Sequence, residues 1–263
     1  MNQAEFAKAV AGLPLAKYAF FPSIGSTNDE VAEWARQGVQ GLALAAADEQ
    51  TRGRGRAGRR WLTPPGSALA FSILLDLAAG FDASRLGCAS GLGALAVCEA
   101  LETLYKLSPQ IKWPNDVLLD GMKACGVLPE AHWTGSRLRA LILGIGINIA
   151  PDDMPPQEAL SFPATCVEEA LGSRIKPGDL LRGVLERIFV WKDRLATVEF
   201  LEAWQGRLAY LGENVHLDVG KDRIIEAQLE GLAADGSLRL RLSTGELRAF
   251  QMGEIQIRPL AKK

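Results

Sequence analysis

Arginine and glycine alternate through EQTRGRGRAGRRW, Glu49 to Trp61. Five of the nine residues from Arg52 to Arg60 are arginines and three are glycines, yet the whole chain carries a formal charge of −2. Guanidinium groups offer forked donors that match phosphate or carboxylate. Glycine lets the backbone turn its N–H groups toward an anion. Two chemistries use such a loop: nucleic-acid binding without sequence preference, and capture of a small polyphosphate. A sequence pI near 5.8 implies no domain-wide basic face, and the block lies between two strand candidates, not on a tail. Left unpaired, the arginines repel one another, so the loop is expected to be mobile until an anion arrives. Trp61 either offers a flat face to a purine or anchors the loop in the core.

A second group of charges lies in IKWPNDVLLDGMKACGVL, Ile111 to Leu128. Asp120-Gly121 is a strong two-residue hairpin signal. A turn there sets Leu119 against Met122, Leu118 against Lys123 and Asp116 against Cys125. Alternation then puts Lys112, Asp116, Leu118 and Lys123 on one face, with Asp116 and Lys123 as diagonal neighbours. One carboxylate and two ammonium groups on a face are costly to bury without partners. Either the hairpin faces solvent with a hydrated ion pair, or it faces a site for an anionic ligand and a metal ion. In LILGIGINI, Leu141 to Ile149, Gly144, Gly146 and Asn148 share one strand face and the isoleucines the other. Glycine in a strand marks close approach by a ligand or by another part of the fold.

These residues need a sheet to hold them. Residues 1–20 accommodate a short helix, and Thr27 to Glu30 fits a capping box opening a helix toward Gln37. Leu42–Ala47 and Ala68–Leu77 read as strands, Ser84–Leu107 as a helix closed by Pro109. Strands are expected at Gln110–Leu119, Met122–Leu128 and Leu138–Ile149, with Pro129 ending or bulging its strand. A proline-rich connection, Pro151–Pro163, leads to helical patterns at Thr165–Leu171, Pro177–Leu195 and Glu199–Tyr210. After Gly212 short alternating runs (VHLDV, LRLRL, EIQIR) suggest a small all-β module of about 50 residues. The order before it argues for an α+β domain built on a sheet.

With 263 residues, 48% of them hydrophobic and 23% charged, the chain is long enough for one large domain with a smaller one. No apolar run reads as a membrane span, and no leader opens the chain. Cys88, Cys98, Cys125 and Cys166 form no C-x-x-C pair, which points to a reducing compartment and hence the cytoplasm. His132 and His216 are far apart, and neither metal-ligand spacing nor a nucleophile motif is present.

GRGRAGRRW (Gly53 to Trp61), KWPNDV (Lys112 to Val117), Lys123 in KACG and GIGIN (Gly144 to Asn148) stand in the order and spacing of the biotin protein ligases. STN (Ser26 to Asn28) and GEIQIR (Gly253 to Arg258) resemble that family's opening and closing motifs. The resemblance implies a mixed-sheet catalytic domain similar to class II aminoacyl-tRNA synthetases, residues 1–211, followed by a small SH3-like β-barrel, residues 212–263. It implies that biotin and ATP, with Mg²⁺, give biotinyl-5′-AMP, and that biotin then passes to a lysine of a biotin carboxyl-carrier protein of the acetyl-CoA carboxylase type. Ser26, Thr27, Asn28, Gln50, Gly53, Arg54, Arg56, Lys123, Gly126, Gly144 and Gly146 match biotin-binding positions. Arg56, Arg59, Trp61, Lys112, Asn115, Asp116, Asn148 and Arg258 match the nucleotide side. Lys123, Arg56 and Asp116 are the catalytic candidates, Asp116 also the one metal contact, through Mg-ATP. Arg52 adds a charge with no assigned partner. About 20 residues precede STN, too few for the winged helix-turn-helix of repressor relatives. The expectation is a monofunctional enzyme, monomer or homodimer, with no nucleic-acid or membrane partner. Two rivals remain: an Arg/Gly nucleic-acid binder, and an acyl-adenylate enzyme using lipoate or another acid.

Overall fold

The computed structural model describes residues 1–76, 82–152, 160, 162–218, 224–251 and 256–259, side chains of 137, 256, 258 and 259 excepted. Leu77, most of the Pro151–Pro163 connection and residues 253–255 of GEIQIR lie outside the described residues. Seven strands form the larger sheet: β1 (Lys17–Ile24), β2 (Ala43–Gln50), β3 (Ala68–Leu75), β4 (Gln110–Lys112), β5 (Asp116–Leu119), β6 (Met122–Thr134) and β7 (Arg137–Asn148). Their order is β1-β2-β3-β7-β6-β5-β4. Only β1 and β2 run parallel; the other neighbours are antiparallel.

Helices cover both faces, which is why β3 is buried at every position. On one face lies α2 (Thr27–Arg36), whose Val31, Ala32 and Trp34 pack on Ala43, Ala45, Leu74 and Ile142. On the other lie α1 (Gln3–Val10), α3 (Ala89–Tyr105) and α5 (Pro177–Trp191), joined by α4 (Val167–Leu171) and α6 (Val198–Gln205). Leu44, Phe71, Leu143, Ile145 and Ile147 enter that core. The segment Ala83–Tyr105 does have the length and mean hydropathy of a spanning helix, contrary to the sequence reading, but most of it is buried. A helix apolar all round is what a three-layer core requires at its centre. All four thiols are buried and unbridged; burial pushes Cys88 up to about 12 and Cys98 and Cys125 well above the usual thiol range.

Two local expectations are corrected. Ser26, not Thr27, is the N-cap of α2, and no capping box forms there. Pro129 neither ends nor bulges its strand: β6 continues to Thr134, Pro129 pairs with Leu143, and the irregularity falls at His132/Trp133. The reason is that β5 leaves β6 after Gly126, so Pro129 sits where that edge has no ladder to break.

The second sheet holds β8 (Asn214–Asp218), β9 (Ile224–Leu232), β10 (Leu238–Leu242), β11 (Leu247–Phe250) and β12 (Gln256–Pro259), in the order β11-β10-β9-β8-β12. It is antiparallel throughout. The chain enters it along β4: Ile111 N donates to Arg207 O (2.7 Å) and Ala209 N to Ile111 O (2.9 Å). The Trp113 indole donates to Gly236 O at 3.0 Å. Gly236, at φ +82°, lies against Cys88 and the fully buried Trp204.

Gly91 of α3 supports the same tryptophan. A Cβ there would lie 2.5 Å from the Trp204 ring. Gly→Ala in an exposed helix stabilises by about 1 kcal/mol; overpacking a rigid buried ring costs about 1–3 kcal/mol. The second effect should win. Gly91→Ala should lower the denaturant midpoint at unchanged m-value, and a raised midpoint would contradict this packing.

Candidate active site

The α2 face of the sheet ends in a cavity of about 450 Å³. Its floor is backbone: Gly126 of β6 pairs with Gly146 of β7, and Gly144 lies two residues along. A Cβ on Gly144 would collide with the Asn28 amide, and one on Gly146 with the Trp61 indole. A Cβ on Gly126 would come within 3.1 Å of Trp61 and 3.4 Å of Lys123 Nζ. Gly144 and Gly146 face the cavity, while Ile145, Ile147 and Ile149 enter the core.

Above Gly144 the groups are neutral and polar. Thr27 N and Oγ1 donate to Gln50 Oε1 at 2.9 and 3.1 Å, and Ser72 Oγ donates to Asn28 Oδ1 at 2.5 Å. Thr27 Oγ1 and Ser72 Oγ are 2.7 Å apart. With Ser72 donating to Asn28, the single Thr27 hydroxyl proton is shared between Gln50 and Ser72. Ser26, Thr27 and Asn28 are buried at the start of α2. Thr27 therefore spends its hydroxyl on the site, not on capping.

Roughly 7 Å along the strand, at Gly146 and Gly126, the surroundings become cationic. Arg56, Arg59, Arg60, Lys112 and Lys123 border the cavity, with Asp116 as the carboxylate among its lining residues. Lys123 Nζ lies 2.6 Å from Asp116 Oδ1, as an ion pair and not an aligned hydrogen bond. The register differs from that expected. A bulge between Val117 and Leu118 places Asp116 opposite Gly126, not Cys125. Lys112 is directly opposite Asp116. Leu118 still pairs with Lys123 but is buried and does not line the cavity. The charges meet despite the slip because the bulge takes up one residue of β6.

The arginine loop folds over this end. Arg54 and Arg60 form a bridge, Gly55 N donates to Arg59 O (2.7 Å) and Trp61 N to Gly53 O (3.0 Å). Arg54 and Arg56 each find partners outside the loop. Arg54 contacts Asp29 of α2 at 2.7 Å and Glu130 of β6 at 3.1 Å. Burial lowers the Arg54 pKa, but these two carboxylates outweigh it and the net shift is upward. Arg56 Nη1 donates to Asn115 Oδ1 at 3.0 Å. Burial, with Arg59 adding repulsion and Asp116 partly offsetting both, lowers the Arg56 pKa. Arg52 closes the loop's base: its backbone N–H donates to Gly25 O (2.8 Å) and its guanidinium lies over Gly25. Trp61 neither enters the core nor stands clear as a stacking face; its indole covers the Gly126–Gly146 floor, with Lys123 Nζ 5.6 Å from the ring centre.

Of the expected residues, Ser26, Thr27, Asn28, Gln50, Arg54, Arg56, Arg59, Trp61, Lys112, Asn115, Asp116, Lys123, Gly126, Gly144 and Gly146 converge on the cavity. Two do not. Gly53 lines a groove on the loop's outer side, where a Cβ would strike Trp61 O. Asn148 donates to Thr165 O at 2.9 Å and Lys123 O at 3.5 Å, tying a strap to β6. β12 carries Arg258 opposite His216, but its side chain lies outside the described residues. The sequence reading missed Ser72, whose signal was a lone hydroxyl in the apolar run ALAFSILL. It also missed Leu128, Trp113, Pro114 and Ile257, the last brought from the second sheet. Among the described residues no three His, Cys, Asp or Glu gather as a metal centre.

Residues 20–148 match the Biotin/lipoate A/B protein ligase family, and residues 210–258 the Biotin protein ligase C terminal domain. A biotin--[acetyl-CoA-carboxylase] ligase of Paracoccus denitrificans is 34% identical over 226 residues, 84% of this chain and 92% of that protein. Another, from Mycobacterium tuberculosis, is 30% identical over 74% of this chain and 72% of its own length. The biotin protein ligase of Aquifex aeolicus in complex with biotin and ATP superposes with a TM-score of 0.75 at 30% identity, covering 93% of this chain and 99% of that one.

The arginine latch can be tested without any ligand. Arg54→Ala removes both carboxylate contacts, so amide exchange across residues 52–60 should rise several-fold while α3 stays protected. Unchanged exchange in the loop would mean that Arg54 does not hold it.

Proposed function

The chain belongs to the biotin protein ligases, and we propose from its cavity how it carries out that family's reaction. It is an ATP-dependent ligase. The biotin carboxylate attacks the α-phosphorus of ATP, pyrophosphate leaves, and biotinyl-5′-AMP forms. A lysine amine then attacks the biotinyl carbonyl, and AMP leaves. The acceptor is of the acetyl-CoA carboxylase type, with a biotin carboxyl-carrier domain presenting the lysine.

One observation carries the assignment of roles: a neutral polar end and a cationic end share a glycine floor. Biotin has a ureido group at one end and a carboxylate at the other. Ser26, Thr27, Asn28 and Gln50 supply the hydroxyls and amides that suit the ureido group. Gly144, Gly146 and Gly126 let Asn28 and Trp61 close down on the sheet, and these groups together border the chain that follows. The carboxylate then arrives beside Lys123, Arg56 and Asp116. Two anions must meet there, and preplaced cations stabilise the charge that builds between them. Arg59, Lys112 and Asn115 extend this field toward the nucleotide phosphates, and Trp61 covers the reacting centre. A mixed anhydride is destroyed by water, so a loop that closes over it protects the intermediate. Arg54 serves that closure as a latch, and Gly53 and Asn148 support the loop and the strap. No nucleophilic side chain is required, in keeping with the two-step chemistry.

Mg²⁺ fits this donor set in a limited way. Asp116 is the carboxylate available at the phosphate end, paired with Lys123, which suits an ion held mainly by nucleotide oxygens and water. When bound it would offset phosphate charge. The convergence of Arg56, Lys112 and Lys123 on one cavity favours a small-molecule phosphate over a nucleic-acid backbone, and the buried thiols favour a cytoplasmic setting.

Incubation with biotin, Mg²⁺ and α-labelled ATP should yield labelled biotinyl-AMP; its absence would refute the proposed activity, and lipoate in place of biotin should give none. Lys123→Ala should slow single-turnover adenylate formation more than it weakens biotin binding, because the charge is needed most in the transition state. Loss of one such contact costs about 2–4 kcal/mol, roughly 30- to 1000-fold in rate. Lys123→Arg should not restore activity, since a planar fork does not replace a compact charge in a closed space. A near-native rate for the alanine variant, with calorimetric biotin affinity unchanged, would reduce Lys123 to a structural partner of Asp116.

A further inference from the structure

Lys112 is a buried cation at the phosphate end of the cavity, only 8% exposed. Its ammonium lies 3.9 Å from the centre of the Phe162 ring. Phe162 belongs to none of the motifs, and the surrounding sequence reads only as a proline-rich connection. Yet the chain just after it is tied firmly to the site. Lys123 N donates to Pro163 O (2.8 Å), Thr165 N donates to Lys123 O (3.0 Å), and Asn148 holds Thr165 O from β7. Ala164 and Lys123 form a parallel bridge. Phe162 is therefore delivered to Lys112 by a strap that is hydrogen-bonded to the backbone of the other site lysine.

Each site lysine has a contact of its own. Lys123 is held by the carboxylate of Asp116. The Phe162 ring attracts the Lys112 ammonium through its quadrupole, and so fixes its position without contributing a negative charge of its own. A cation meant for a phosphate gains from such a partner. A lysine stem has many rotamers, and each contact that orders it in advance removes a cost from nucleotide binding.

We propose that Phe162 is a positioning residue that aims the Lys112 ammonium at the nucleotide phosphates. This rests on the nucleotide site proposed above. The prediction concerns nucleotide affinity, which is measured separately from the activity. Biotin-saturated protein is titrated calorimetrically with a non-hydrolysable ATP analogue and Mg²⁺. Phe162→Leu keeps apolar volume and loses the ring face; it should weaken analogue binding about 3- to 10-fold and raise the KM for ATP in proportion, with biotin affinity within twofold. Phe162→Tyr keeps the ring and should bind like the wild type. In a Lys112→Met background, Phe162→Leu should have no further effect, because the group it positions is gone. Three results would overturn the proposal: wild-type affinity in Phe162→Leu, an equal loss in Phe162→Tyr, or an undiminished effect of Phe162→Leu in the Lys112→Met background. If the wild type binds the analogue but forms no biotinyl-AMP, the activity assignment fails while the role of Phe162 is still decided by the affinity ratios.

Discussion

Everything at this site depends on two strands being able to lie bare. Gly126 and Gly146 are paired across β6 and β7, and together they expose peptide backbone where a sheet would otherwise present side chains. An aromatic ring can then rest on the sheet itself, as Trp61 does. A single methyl group at Gly146 would lift that ring and, with it, the end of the arginine loop. The loop, the lysine hairpin and the start of α2 all take their heights from this floor. Leu141, Leu143, Ile145 and Ile147 of β7 are bulky and apolar because that face has the opposite task of filling the core under α3.

The crowding of cations is the second constraint, and four of them meet contacts of different kinds. Arg54 is paired with two carboxylates outside the reacting centre, Arg56 with a neutral amide, Lys123 with Asp116 and Lys112 with a ring. Asp116 is the carboxylate among the cavity-lining described residues. Positive charge is thus retained where phosphate must bind, while the loop remains folded. The downward shift at Arg56, caused first by burial and then by Arg59, shows the electrostatic cost of this arrangement.

Much of this was legible from the sequence. Glycine and arginine in one loop, an Asp-Gly turn and alternating glycines in a strand each carry a local physical meaning that survives folding. Asp120 and Gly121 both take positive φ, +49° and +77°, as such a turn demands. The misreadings have physical causes too. Alternation alone could not reveal the bulge at Val117/Leu118, since a bulge breaks the period without changing the residue types. Thr27 looked like a cap because its hydroxyl suits either use, and only the approach of Gln50 and Ser72 decides between them. Pro129 looked disruptive because its fate depends on whether a neighbour strand reaches it. Phe162 and Ile257 carry no local signal because tertiary folding brings the one to Lys112 and the other to the cavity.

The division drawn near residue 211 separates two sheets but not two mechanically independent parts. Residues 207–209 run as an extra ribbon along β4, and the indole next to Lys112 is bonded to the Gly236 turn of the second sheet. Whatever grips the outer module also grips the strand that carries Lys112. A load on the C-terminal module therefore has a short lever to the phosphate end of the cavity. In engineering terms the module is a handle, and cutting it away would leave the Trp113 indole without its bond to Gly236.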